Sequence, residues 1–184
     1  LKSLNNYKNH KLVESFSKNY TYSFSQPQIK KYKKFNNYNL IGMGGSSLGA
    51  KAIYNFLSPK IKKKFTFFDN LSSKKKNLKK TKTLNIIISK SGNTLETISN
   101  YSAIKGNKRN LFICENSDNY IKSLANKLNC EIIAHKNYIG GRYSVLSEAG
   151  MLPAIFMGLK EGKFKNFNNL IKNKNFVNSL LDSV

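Results

Sequence analysis

From Tyr38 onward the chain alternates short apolar runs with longer segments of helical period, and that alternation constrains the fold more than any other feature. It is the pattern of a parallel sheet with crossover helices. The apolar runs fall at 38–42, 65–68, 84–89, 110–114 and 131–134. The expected fold class is therefore α/β: a three-layer sandwich around a five-stranded, doubly wound parallel sheet, with right-handed crossovers and ligands outside the carboxyl ends of the strands.

The clearest crossover helix carries Ile121, Leu124, Ala125 and Leu128 on one face, with Asp118 as its expected N-cap. A second places Leu48, Ala52 and Phe56 on one stripe, and a third begins at Thr94 and presents Leu95, Ile98 and Ser102. The apolar segment 145–159 contains Pro153, which must kink the helix or start a new one. Residues 1–37 form a polar extension of no clear period, 38–145 the sheet domain, and 146–184 a helical connection. Beginning at Leu1 and ending inside a helical pattern, the chain reads as a piece of something longer.

The net charge of +23 would ordinarily suggest nucleic acid, since basic side chains that neutralise phosphates supply most of that affinity. The kind of cation argues otherwise: of 32 basic residues only Arg109 and Arg142 are arginine, whereas nucleic-acid sites lean on arginine for bidentate and stacked contacts. Asparagine is also abundant, so a coding bias toward lysine and asparagine accounts for the charge, and runs such as Lys62-Lys63-Lys64 and Lys74-Lys75-Lys76 are solvated faces. Cys114 and Cys130 have neither CxxC spacing nor clustered histidines, so reduced, buried thiols are expected and no zinc site. No signal-peptide core and no apolar run of about 20 residues appears, which argues for a soluble cytoplasmic protein and no membrane partner.

The segment Ser89-Lys90-Ser91-Gly92-Asn93-Thr94-Leu95-Glu96-Thr97 gathers hydroxyls and amides where a strand passes into a helix. The first amides of a helix have no partner inside it and carry the positive end of its dipole, so a phosphate dianion finds donors and a favourable field there. Ser89, Ser91 and Thr94 can add hydroxyls and Lys90 a charge, although Lys90 also reads as one more surface lysine. Glu96 would sit in the first turn as the end of a capping motif.

After the first strand comes Gly42-Met43-Gly44-Gly45-Ser46-Ser47-Leu48-Gly49. A dinucleotide fingerprint would need glycine where Ser47 stands, although Asp69 could serve as its acidic residue. A tight turn without ligand is the other reading of this loop alone. A second hydroxyl-rich cradle after the third strand favours one small sugar phosphate held by both loops. The third motif is Gly140-Gly141-Arg142-Tyr143-Ser144-Val145, where an arginine in a lysine-writing chain hints at planar, permanently charged donors able to stabilise an oxyanion or enediolate. A structural salt bridge is the alternative for Arg142, and the expected role of Arg109. Among the glutamates only Glu148 lies near this chemistry, and nothing in its spacing aims it at a substrate carbon. His10 and His135 lack partners in motif spacing and default to structural or surface roles.

Taken together and in this order, Gly-x-Gly-Gly-Ser-x-Leu-Gly at 42–49, Ser-Lys-Ser-Gly-Asn-Thr-x-Glu-Thr at 89–97 and Gly-Gly-Arg-Tyr-Ser-Val-x-Ser at 140–147 closely resemble the glucose-6-phosphate isomerase family. The resemblance runs from about residue 38 to 159. It implies a sugar-isomerase domain in which Gly45, Ser46 and Gly141 line the sugar site, Ser89, Lys90, Ser91 and Thr94 hold the 6-phosphate, and Arg142 faces the reacting carbons. It further implies aldose-ketose isomerisation of hexose 6-phosphate through a cis-enediolate, without metal or organic cofactor. By the same resemblance, the family's glutamate base, ring-opening histidine and late lysine lie in a second sugar-isomerase domain or beyond, downstream of the matched region, and none of their motifs is present here; a homodimer is implied for the whole protein only. A sugar-phosphate sensor without turnover is the rival: it would share both hydroxyl loops but have no use for Gly141-Arg142.

Overall fold

The computed structural model describes residues 11–71, 82–104, 109–165 and 172–182. Its centre is a sheet of β1 (Asn37–Ile41), β2 (Lys64–Phe68), β3 (Thr83–Ile88), β4 (Asn110–Glu115) and β5 (Glu131–His135), all parallel, in the order β2-β1-β3-β4-β5. Each expected strand is present. β3 is buried along its whole length, as the run Leu84, Ile86, Ile87 and Ile88 requires, and each such side chain contributes about 1.5 to 3 kcal/mol on leaving water.

Helices α1 (Gln26–Lys33), α2 (Gly45–Phe56) and α5 (Glu148–Phe156) cover one face, packing Ile29, Ala50, Ile53 and Phe156 against Leu40, Ile86 and Ile113. Helices α3 (Leu95–Ala103) and α4 (Tyr120–Lys127) cover the other, where Ile121 and Ala125 meet Ile87, Phe112 and Cys114. The result is the expected three-layer α/β sandwich. Tyr38 ties α1 to the sheet: its ring stacks between Phe65 (4.7 Å) and Phe156 (5.5 Å), and its hydroxyl donates to the carbonyls of Tyr32 and Phe35, 3.0 Å each. On the opposite face a buried ladder crosses the sheet, Asn39 donating to Asn85 and Asn85 to Asn110, both at 2.9 Å.

Several helical details depart from expectation. The buried stripe of α2 is Ser47, Ala50 and Ile53, while Leu48 and Phe56 stand exposed. In α3 the buried positions are Thr97 and Asn100, with Leu95 and Ser102 outside. The cap of α4 is Asn119, whose side chain accepts from the Lys122 amide at 2.8 Å, and not Asp118; Leu128 follows the helix, partly exposed. α5 continues through Pro153 to Phe156, so no second helix starts there. Beyond α5, the described part of 146–184 forms a 3₁₀ turn at Glu161–Lys165 and helix α6 (Lys174–Leu181). Cys114 is buried as expected, Cys130 only partly so, and both are free thiols. Arg109 lies over the Phe35 ring at 5.8 Å. His10 and Lys74–Lys76 fall outside the described residues. Among those described, no helix is long and apolar enough to cross a membrane.

Candidate functional site

Strand order reverses between β1 and β3, with β2 on one side and β4 on the other, and such a switch point is where a doubly wound sheet leaves a crevice above the carboxyl ends of its strands. The glycine loop ends β1 and the Ser89 loop ends β3, so the sheet sets them side by side; a Cβ on Gly42 would meet the Ile88 carbonyl at 2.9 Å. Each loop delivers a helix start with no side-chain cap. Gly44, at φ +55°, precedes α2, and Thr94 precedes α3 without bonding its amides. The expected capping motif ending at Glu96 is therefore not formed. The two starts differ: in α2 the Ser46 amide donates to the Met43 carbonyl at 3.2 Å and the Ser47 and Leu48 amides to the Gly44 carbonyl at 3.0 and 2.9 Å, whereas the first amides of α3, before Ile98, have no such partner among the described residues.

Thr94 uses its hydroxyl otherwise. Its Oγ1 lies 3.0 Å from Ser89 Oγ, and Ser89 is buried, so the pair shares a proton beneath the loop. Ser91 stays exposed at the tip, its Oγ accepting from the Asn93 amide at 3.4 Å. Gly92 adopts φ +69°, which L side chains rarely occupy, and a Cβ there would collide with the Asn119 side chain. Asn93 in turn accepts from the Tyr120 amide at 3.0 Å, so the start of α4 holds the loop in place. Lys90 is half-buried and pairs with Glu115 at 3.4 Å. Beside that pair a cavity of 320 Å³ runs over the ends of β4 and β5, past His135, Lys136 and Tyr138. A larger one of 440 Å³ lies at the opposite, amino ends of the strands near Tyr32, Arg109 and Glu131, away from these loops.

The third motif folds as a 3₁₀ turn, Gly141–Leu146, laid directly on α2. Side chains would prevent it: a Cβ on Gly45 would collide with the Gly141 carbonyl. Ser144 Oγ reaches both the Gly45 carbonyl (2.8 Å) and the Gly141 carbonyl (2.7 Å). Arg142 is exposed and makes no ion pair among the described residues, so the salt-bridge alternative finds no partner among them. Ser46, likewise, makes no side-chain hydrogen bond among the described residues. The fold thus brings the first two loops to one crevice and seats the third on the first.

Profile comparison agrees: a family model described as Phosphoglucose isomerase matches residues 18–182. The chain belongs to the phosphoglucose isomerase family. It is 36% identical over 149 residues to a glucose-6-phosphate isomerase of Methanocaldococcus jannaschii, covering 73% of this chain and 37% of that one. It is 32% identical over 146 residues to a glucose-6-phosphate isomerase of Campylobacter jejuni, covering 71% of this chain and 36% of that one. The chain therefore spans little more than a third of these relatives. Among solved structures, a hypothetical protein of Thermus thermophilus superposes with a TM-score of 0.69 at 22% identity, covering 88% of this chain and 43% of that one; at that identity the likeness concerns fold.

Two features of this family member were not legible in its sequence. Glu148, at the start of α5, is fully buried and accepts from the Tyr20 hydroxyl (2.9 Å), the Ser23 amide (3.0 Å) and the Ser23 hydroxyl (3.2 Å). It fastens the amino-terminal segment to the helix following the arginine turn, and the positive end of α5 favours its charge. His135 is buried, its Nδ1 3.0 Å from the Lys136 carbonyl and its Nε2 3.2 Å from Ser147 Oγ. Burial holds its imidazole below the ordinary 6.5, against the pull of the Glu148 carboxylate. The partner of each is more than ten residues away or on a segment without periodicity, so no local spacing announces the contact.

Proposed function

We propose that the whole protein interconverts glucose 6-phosphate and fructose 6-phosphate, and that this chain supplies the phosphate grip and one electrostatic stabiliser. Ser91, Thr94 and the uncapped amides of α3 hold the 6-phosphate, Ser89 braces Thr94 from below, and Lys90 adds charge at the rim. Gly45, Ser46 and Gly141 line the sugar, at a place where two backbones meet with no side chain between them. The ring opens, a base removes the C2 proton and returns it to C1, and the oxygen protons exchange through a cis-enediolate. Arg142 faces the developing negative charge; a donor so placed is worth about 3 to 4 kcal/mol in other enzymes.

The observation that carries this reading is the convergence of uncapped helix starts with an arginine that no carboxylate neutralises among the described residues. A phosphate sensor would need the first and not the second. In this reading 38–145 is the first sugar-isomerase domain, 146–184 leads toward a second that carries the base, and the whole protein works as a cytoplasmic homodimer. The test is a coupled assay of the complete protein with fructose 6-phosphate. Glucose 6-phosphate formation supports the reading, and tight binding without turnover favours the sensor.

A further inference from the structure

We propose that Ser144 is a positioning residue for Arg142, its hydroxyl proton acting as the clip that locks the arginine turn onto the start of α2. The inference rests on the reading of Arg142 as the enediolate stabiliser. The Gly45 and Gly141 carbonyls converge on one Oγ at 2.8 and 2.7 Å. Two carbonyl dipoles aimed at the same point repel unless a proton stands between them, and Ser144, 3% exposed, supplies it.

The turn is fixed from its other side as well. The Ser144 carbonyl accepts from Ser147 Oγ at 2.8 Å, and Ser147 Oγ lies 3.2 Å from His135 Nε2 at the end of β5. A relay therefore runs from the sheet through His135, Ser147 and Ser144 to α2, and Arg142 lies within it, between Gly141 and Ser144. The guanidinium has no ion-pair partner among the described residues, so no carboxylate there tethers it, and the main chain at 142 sets the point from which it reaches. Loosening the clip moves the stabiliser while leaving the Ser89–Thr94 grip intact. Its signature is a loss of turnover without a loss of substrate binding.

The experiment is a double-mutant cycle in the complete protein with Ser144→Ala, Arg142→Lys and the two combined, reading kcat and KM for fructose 6-phosphate together with thermal melting. Ser144→Ala should lower kcat about 10- to 100-fold, the scale of a misplaced catalytic group, with KM changed less than about threefold. The double variant should be no slower than Arg142→Lys by more than about twofold, because both changes remove the same effect. Additive losses, or a KM rise at constant kcat, would overturn the proposal. Should Ser144→Ala fail to fold, Ser144→Cys, near-isosteric with a weaker donor, enters the same cycle and the same criteria apply. Amide exchange at 141–143 separates this inference from the one beneath it: faster exchange in the Ser144 variant upholds the clip even if the protein does not isomerise, and unchanged exchange refutes it.

Discussion

At the scale of single residues, conformation and charge point to separate experiments. Gly92 sits at φ +69° against Asn119, so Gly92→Ala should distort the grip, raise KM for fructose 6-phosphate and destabilise the fold by about 1 to 3 kcal/mol, measured by kinetics and urea unfolding. An unchanged KM would mean that the loop does not touch the phosphate. Arg142→Lys keeps the charge and loses the planar fork; turnover should fall by about 100-fold while KM stays nearly constant. Equal losses in kcat and affinity would make the arginine an anchor. His135 titrates below its ordinary 6.5 in the fold, so the unfolded chain takes up that proton first as pH falls. Stability should therefore be undiminished above pH about 6.5 and decline below it, and His135→Asn should flatten that part of the profile in melting experiments. A wild-type profile no steeper than the variant's would contradict the assignment.

Among elements, the strands were readable because parallel strands covered on both faces must be apolar almost throughout, as 84–88 is apart from Asn85. The helix faces were not. α2 turns Ser47, Ala50 and Ile53 inward while its glycines, Gly45 and Gly49, meet the arginine turn at Gly141 and Val145, and hydrophobicity alone selected the exposed Leu48 and Phe56. The site shows the same division. Loop chemistry at 42–49, 89–97 and 140–147 stood in the sequence, whereas the Ser144 clip depends on a contact 99 residues apart and the Glu148 anchor on one 128 apart. That anchor gives a prediction for α5. Glu148→Ala leaves the buried Tyr20 hydroxyl and the Ser23 amide without their acceptor, and should cost about 3 kcal/mol or more in urea unfolding, with Tyr20→Phe costing about half as much. A Glu148→Ala loss under about 1 kcal/mol would show that the amino-terminal segment is not held there.

For the whole molecule, the proposed function gives this chain a phosphate grip and a stabiliser and puts the proton-transfer base in the part of the protein beyond it. The 184-residue chain by itself should accordingly bind hexose 6-phosphate weakly and give no isomerisation in a coupled assay. Full turnover would mean that a base lies within it. Whether the loops at the ends of β1 and β3 grip a phosphate dianion is tested by a crystal of the protein soaked in fructose 6-phosphate. The phosphate should bind at Ser91, Thr94 and the first amides of α3, with the sugar toward Gly45 and Arg142. Phosphate bound elsewhere, with those loops empty, would contradict it.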